Sequence, residues 1–170
     1  LLSLLLFVPF LGGSNLFDWD EVNFAEAARE MLVTGEYSYV QINFKPFWEK
    51  PPLFIWMQTL SMKVFGVNEF AARFPNALCG AFTLTILFLI GDRLVDRRFA
   101  LLWVLVYAGS MLSQFYFRSG IIDPWFNLFI FLGIHQLIKA TGTNFLKQSR
   151  IALSALLVGL AVLTKGPTAL

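Results

Sequence analysis

Charge is scarce in this chain, and so are the residue types from which soluble catalytic and metal sites are most often built. Charged side chains make up 14% of the 170 residues, against about a quarter in ordinary soluble domains. The formal net charge of +2 is too small, and too divided by region, to suggest a nucleic-acid partner. The one cysteine, Cys79, lies inside an apolar run; it excludes an internal disulfide and leaves the redox compartment unread. The one histidine, His135, lies far from the main group of carboxylates, which is poor ground for a metal centre. No glycine-rich nucleotide loop is present.

What is abundant is apolar. The chain is 57% hydrophobic with 19 Phe and five Trp, and its mean hydropathy is +0.66. That composition fits lipid-facing and interfacial positions. Apolar blocks cover about residues 1–16, 74–91, 99–117, 124–138 and 151–164, and each is read as a membrane span. The first block has a competing reading as a signal peptide, since Gly12-Gly13-Ser14 mimics a cleavage region, but no basic segment precedes it. A truncated first spanning helix is preferred. The chain starts at Leu1 without a methionine and ends inside an apolar block at Leu170, so an N-terminal piece of a larger protein is expected.

One long stretch breaks the pattern. Between Asp18 and Leu53 stand seven of the eleven carboxylates: Asp18, Asp20, Glu21, Glu26, Glu30, Glu36 and Glu49. Phe24, Ala27, Ala28 and Met31 recur at helical spacing, predicting an amphipathic helix over about 20–32, with Glu26 and Glu30 on another face. It is too short to span ~30 Å of hydrocarbon and is expected to lie along the interface. Gly35 ends it, and 36–48 reads as an extended loop. The 13 residues after Pro51-Pro52 form a second apolar helix, and charge decides whether it crosses. If it does not, the basic loops 92–98 (Arg93, Arg97, Arg98) and 139–150 (Lys139, Lys147, Arg150) are both cytoplasmic, as the positive-inside rule requires. The loop of about 17–69, the turn 118–123 and Lys165-Gly166 then share the opposite face. Charges at a bilayer are expensive unless they face a polar cavity or a partner, so one outward-opening cavity is expected.

The ordered set of Asp20-Glu21, E-K-P-P-L at 49–53, F-G-V-N-E-F-A-A-R-F-P-N-A-L at 65–78, the Asp123 turn and L-T-K-G-P at 163–167 resembles the protein O-mannosyltransferase-like glycosyltransferases of the GT-C superfamily. Among them it is most similar to bacterial aminoarabinose transferases. The resemblance covers essentially the whole chain. It implies an all-α polytopic membrane bundle with interfacial helices in the first extracytoplasmic loop. It also implies inverting transfer of a mannose- or aminoarabinose-like sugar from a polyprenyl-phosphate carrier to a protein, lipid A or glycan acceptor. The implied location is the bacterial inner membrane, with the site facing the periplasm or exterior.

Displacement at an anomeric carbon needs a base for the acceptor proton and cations for the leaving phosphate. The resemblance puts Asp20 at the catalytic position; the competing reading is a helix cap by Asp18 or Asp20, with Asp18-x-x-Glu21 as a capping box. Glu21 points about 100° away from Asp20 and is expected to orient the acceptor or loop. Asp123, before Pro124, is either an N-cap or a second functional carboxylate. Lys50, Arg118 and Lys165 are candidate contacts for the carrier phosphate, and a snorkelling lysine is the alternative for Lys50. Glu49 resembles a position that helps bind a divalent metal in some aminoarabinose transferases; the lipid-linked sugar would be the co-substrate. Arg73 is expected to pair with an Asp or Glu of the loop, and Trp19, Trp48 and Trp56 to anchor at the interface. A transporter or non-catalytic membrane subunit is the alternative from another class, and a lipid-carrier oligosaccharide polymerase or ligase the alternative within enzymes.

Overall fold

Among the described residues, apart from one hairpin of two-residue strands, the elements are helices. The computed structural model describes residues 2–17, 19–141 and 148–167. Helix α1 spans Leu2–Phe7, so the helix expected over 1–16 is a short one. Pro9 cannot continue it, and the chain turns through Phe10, at φ 61°, to Gly13, whose N–H bonds the Phe10 carbonyl.

Helix α2 spans Trp19–Thr34 and buries the predicted stripe, with Phe24, Ala27, Ala28 and Met31 all at 1% exposure or less. It stops at Gly35, whose φ of 71° places it in the left-handed region that glycine tolerates. Strands β1 (Gln41–Ile42) and β2 (Lys45–Pro46) pair antiparallel about a turn in which Asn43 and Phe44 both have positive φ. This is the mirror-image turn that matches strand twist. Phe44 is an unusual occupant, and its N–H is held at 2.9 Å by Glu30 Oε2. Glu30 is therefore fully buried, not on a polar helix face as its spacing from Glu26 predicts.

Helix α3 covers Leu53–Phe65, the 13 residues expected, at about 20 Å too short to span. Helix α4 runs Glu69–Leu94, capped by Asn68, whose Oδ1 accepts from the Ala71 N–H. The apolar block 99–117, expected as one span, is two helices: α5 (Arg97–Gly109) and α6 (Met111–Phe117), bent by 71°. Side-chain hydrogen bonds brace the break. Ser110 Oγ donates to the Tyr107 carbonyl and accepts from the Ser113 N–H, and Gln114 Nε2 donates to the Ala108 carbonyl. Such satisfaction is what an apolar surrounding demands of a broken helix. Helices α7 (Asp123–Thr141) and α8 (Gln148–Lys165) pack on each other. Among the described residues, α4 and α8 are long and apolar enough to cross a membrane, and the bent α5–α6 pair makes a third if it is one span. Leu102, Leu105 and Val106 on α5 are 63–74% exposed, as lipid-facing side chains would be.

Two apolar clusters hold the bundle. One joins α2, α3, the start of α4 and Ile122; the other joins α1, α4, α6 and α7. In the second, Phe7 and Phe117 meet edge to face at 5.0 Å over Gly80. A Cβ there would lie 2.7–2.8 Å from both rings, so glycine is what lets α1 and α6 close on α4.

Candidate active site

Two carboxylate–lysine pairs sit at the ends of the helices. Asp20, in the first turn of α2, lies 3.9 Å from Lys50 Nζ. Asp123, the first residue of α7, lies 2.5 Å from Lys165 Nζ, the last residue of α8. All four side chains are partly open, between 27% and 43% exposed. Each ammonium also stands over an aromatic ring, Lys50 5.8 Å from the centroid of Phe24 and Lys165 5.5 Å from that of Phe126. The cation–π attraction holds each lysine without removing it from water. The pairs are neighbours: Pro51 Cγ lies 3.9 Å from where a Cβ on Gly166 would stand. The E-K-P-P segment thus packs against the end of α8, and residues from three distant parts of the chain meet at one end of the bundle.

Beneath them is a buried polar node. Glu21 is fully buried. Its Oε1 accepts from Arg73 Nε at 2.8 Å and from the Gly120 N–H at 2.6 Å. Its Oε2 accepts from Arg73 Nη2 at 3.0 Å and from the Phe17 N–H at 3.2 Å, close to the reach-back of a capping box. Arg73 gives its remaining N–H groups to the carbonyls of Leu11, Ser14 and Asn15. Arg73 is the partner expected for a loop carboxylate, and Glu21 faces inward while Asp20, one residue earlier, stays open.

The remaining candidates lie elsewhere or alone. Arg118 donates to the Leu6 carbonyl at 2.7 Å, on the α1 side, and no described contact joins it to Lys50 or Lys165. Glu49 is exposed, and no group of three metal-ligating side chains assembles among the described residues. Asp18-Trp19-Asp20 also spells D-x-D, but Asp18, with the cap assigned to it, lies outside the described residues, as does Lys147. His135 stacks on Phe131, within α7. Trp48 stacks on Tyr39, and Trp56 Nε1 donates to the Tyr37 carbonyl; Trp19 and Trp48 are about 80% exposed. Around the site, the Arg29 guanidinium bonded to Glu26 holds that carboxyl below its ordinary value, and the Ser38 N–H does the same for Glu36.

Asn76 and Gly120 escape a reading of the sequence for chemistry. Asn76 is fully buried and donates to the carbonyls of Ser119 and Ile121 at 2.6 and 2.7 Å. The only sequence signal is its place three residues after Arg73, on the same face of α4.

A family model for dolichyl-phosphate-mannose-protein mannosyltransferase matches residues 49–170. An uncharacterised protein of Aquifex aeolicus is 32% identical over 96% of this chain and 33% of its own length. The undecaprenyl phosphate-alpha-4-amino-4-deoxy-L-arabinose arabinosyl transferase of Shewanella sediminis is 29% identical over the whole chain and 32% of its own length; that of Edwardsiella ictaluri is 30% identical over 99% and 31%. The chain thus spans about a third of the length of these relatives. The crystal structure of ArnT from Cupriavidus metallidurans in the apo state superposes with a TM-score of 0.89 at 21% identity, over 99% of this chain and 32% of that one. The undecaprenyl phosphate-bound form of the same protein gives 0.70 over the same shares. The fold is therefore the all-α membrane bundle expected, of GT-C type.

Proposed function

Because the chain belongs to the dolichyl-phosphate-mannose-protein mannosyltransferase family, we propose that it forms the donor-binding end of a membrane glycosyltransferase. The donor is a sugar on a polyprenyl phosphate, and the acceptor a hydroxyl of protein, lipid A or another glycan. The site opens to the periplasm or exterior of a bacterial inner membrane. The Asp20–Lys50 and Asp123–Lys165 pairs, brought to one end of the bundle where Pro51 approaches Gly166, carry this reading: they offer the carboxylate and the cations that such a transfer uses.

In the proposed step Asp20 takes the acceptor hydroxyl proton as the acceptor oxygen bonds to the anomeric carbon. The bond from that carbon to the phosphate oxygen breaks, and its electron pair leaves with the carrier phosphate. Lys50 and Lys165 stabilise the charge that develops there. At 3.9 Å from Asp20, Lys50 is beyond hydrogen-bond reach and has only a weak partner to give up when phosphate arrives. Asp123 keeps Lys165 in place, and Glu21 holds the loop that carries Asp20. The charges stand at helix ends, which speaks against a transporter, whose site would favour mid-helix.

The test is transfer from defined polyprenyl-phosphate sugars by membranes holding the full-length protein. Slower transfer in Asp20→Asn, and a raised donor KM in Lys50→Ala, are expected. An intact protein that moves sugar from none of these donors would overturn the proposal.

A further inference from the structure

The turn 118–123 is tied to its flanking helices at its ends, where the Arg118 N–H donates to the Phe115 carbonyl and the Ile122 carbonyl accepts from the Phe126 N–H; at its buried centre, side chains supply the partners. Asn76 Nδ2 donates to the carbonyls on both sides of Gly120, at 2.6 Å to Ser119 and 2.7 Å to Ile121. The Gly120 N–H between them donates to Glu21 Oε1. Two peptide groups of the turn, 119–120 and 121–122, are thus pinned by two side chains, one from α4 and one from the residue next to Asp20. There is no slack at the centre: a Cβ on Gly120 would stand 3.1 Å from Gln58 Nε2 and 3.2 Å from both the Ala72 carbonyl and Glu21 Cγ. Past the pinned peptides, Ile122 is 2% exposed in the core, and the next residue is Asp123.

Asn76 Oδ1 is buried without a hydrogen-bond partner. An orphaned buried acceptor is unfavourable, so the amide's value here lies in its two donated bonds. Those bonds end four and two residues before Asp123.

We propose that Asn76 is a positioning residue of the transfer site: through the carbonyls of Ser119 and Ile121 it fixes where Asp123, and with it Lys165, meets the carrier phosphate. This rests on the function proposed above, and it gives a role to the R-F-P-N segment of α4, where Arg73 orders the Asp20 side and Asn76 the Asp123 side.

The experiment is a double-mutant cycle in the full-length membrane protein, reading the KM for donor and for acceptor separately. Asn76→Ser should raise the donor KM about tenfold, the equivalent of one lost hydrogen bond, and leave the acceptor KM unchanged. On top of Asp123→Asn it should add almost nothing, because both changes act through the same carboxylate. Gly120→Ala, which retains every donor and acceptor, should reproduce the donor-selective effect. A full, additive effect of Asn76→Ser in the Asp123→Asn background overturns the proposal, as does an equal rise in both KM values. Loss of both Asn76→Ser and Gly120→Ala from the membrane also overturns it, since that marks a folding role alone. If Asp20→Asn and Asp123→Asn themselves transfer normally, the site is misplaced and Asn76's role falls with it. Impaired Asp20→Asn and Asp123→Asn beside an unaffected Asn76→Ser would overturn the Asn76 assignment only.

Discussion

Glu21 and Arg73, 52 residues apart, close a two-bonded ion pair with side chains 0% and 3% exposed. It ties α2 to α4, and the other bonds of each partner reach the α1–α2 segment and the turn before α7. Neighbouring carboxylates of α2 therefore have different fates. Asp20 stays open beside Lys50, Glu21 anchors the turn that leads to Asp123, and Glu30 holds the hairpin that precedes Lys50. One helix thus orders both segments that bring cationic and acidic groups to the site.

Removing either partner of that pair leaves the other charged and buried, which typically costs about 3–5 kcal/mol. Arg73→Met and Glu21→Gln should each lower the melting temperature of the detergent-solubilised protein sharply. Arg73→Lys should rescue little, because one ammonium cannot span Glu21 and the three carbonyls the guanidinium reaches. Melting of Arg73→Lys at the parent temperature would show that the fork geometry is unimportant.

Glu26 gives the opposite case. Its pair with Arg29 is about a third exposed at each end, so the stabilisation is only about 0.5 kcal/mol after solvent screening. The carboxyl is held below its ordinary value of 4.5. That contribution is therefore present above pH 4.5 and fades as pH falls through the lowered value. Glu26→Gln should melt slightly below the parent at neutral pH, and the gap should close under acid conditions. A gap that widens in acid would reverse the sign assigned to this pair.

Some of this was legible because it is local. The Phe24–Met31 stripe and the span of α3 follow from periodicity and flanking prolines and glycines over a few residues. The break at Ser110 was hidden inside a uniformly apolar block, where Gly109-Ser110 is a weak signal, and the bonds that stabilise it come from Gln114 and Ser113. Glu30 looked solvated because its partner is a peptide N–H 14 residues away. The family resemblance singles out Asp20, Lys50, Asp123 and Lys165 but not their pairing, and nothing local in the sequence shows Asn76's bonds across 43 and 45 residues. Arg118 looked equivalent to the lysines by sequence, and the packing of α1 gives it another partner.

The shared face of the charged segments can be checked chemically. A cysteine at exposed Ser38 should react with an impermeant thiol reagent from outside the cell, and one at Asp96, the cap of α5, only after lysis. Cys79 is buried and should give little background. Labelling of the Asp96 position from outside would invert the orientation proposed for the site.

The two lysines should differ from Arg118 in their effect on donor use. Lys50→Ala and Lys165→Ala each remove a cation proposed to meet the phosphate, worth about 1.5–3 kcal/mol for a hydrogen bond to a charged group, so the donor KM should rise about tenfold or more. Arg118→Ala should leave it within a few fold, its loss being one bond to the Leu6 carbonyl. A larger donor effect from Arg118 than from Lys50 would move the phosphate to the α1 side.

Asp20 is the sharpest case, since a base and a helix-terminus carboxylate are hard to tell apart by position. Helix α2 begins at Trp19, so Asp20 stands within the first turn and contributes there mainly through the helix dipole, about 0.3–1 kcal/mol. Asp20→Asn keeps the shape and loses that small term together with the weak 3.9 Å contact to Lys50. The variant should therefore insert normally and melt close to the parent. It also loses the basic oxygen, and general-base catalysis is worth ~10²–10⁴-fold, so transfer should slow by at least about a hundredfold. Asp20→Glu, which retains a carboxylate at a different reach, should recover part of that rate, as a purely dipolar role would not require. If Asp20→Asn transfers at nearly the parent rate while remaining folded, Asp20 is not the base, and Asp123 becomes the carboxylate to test.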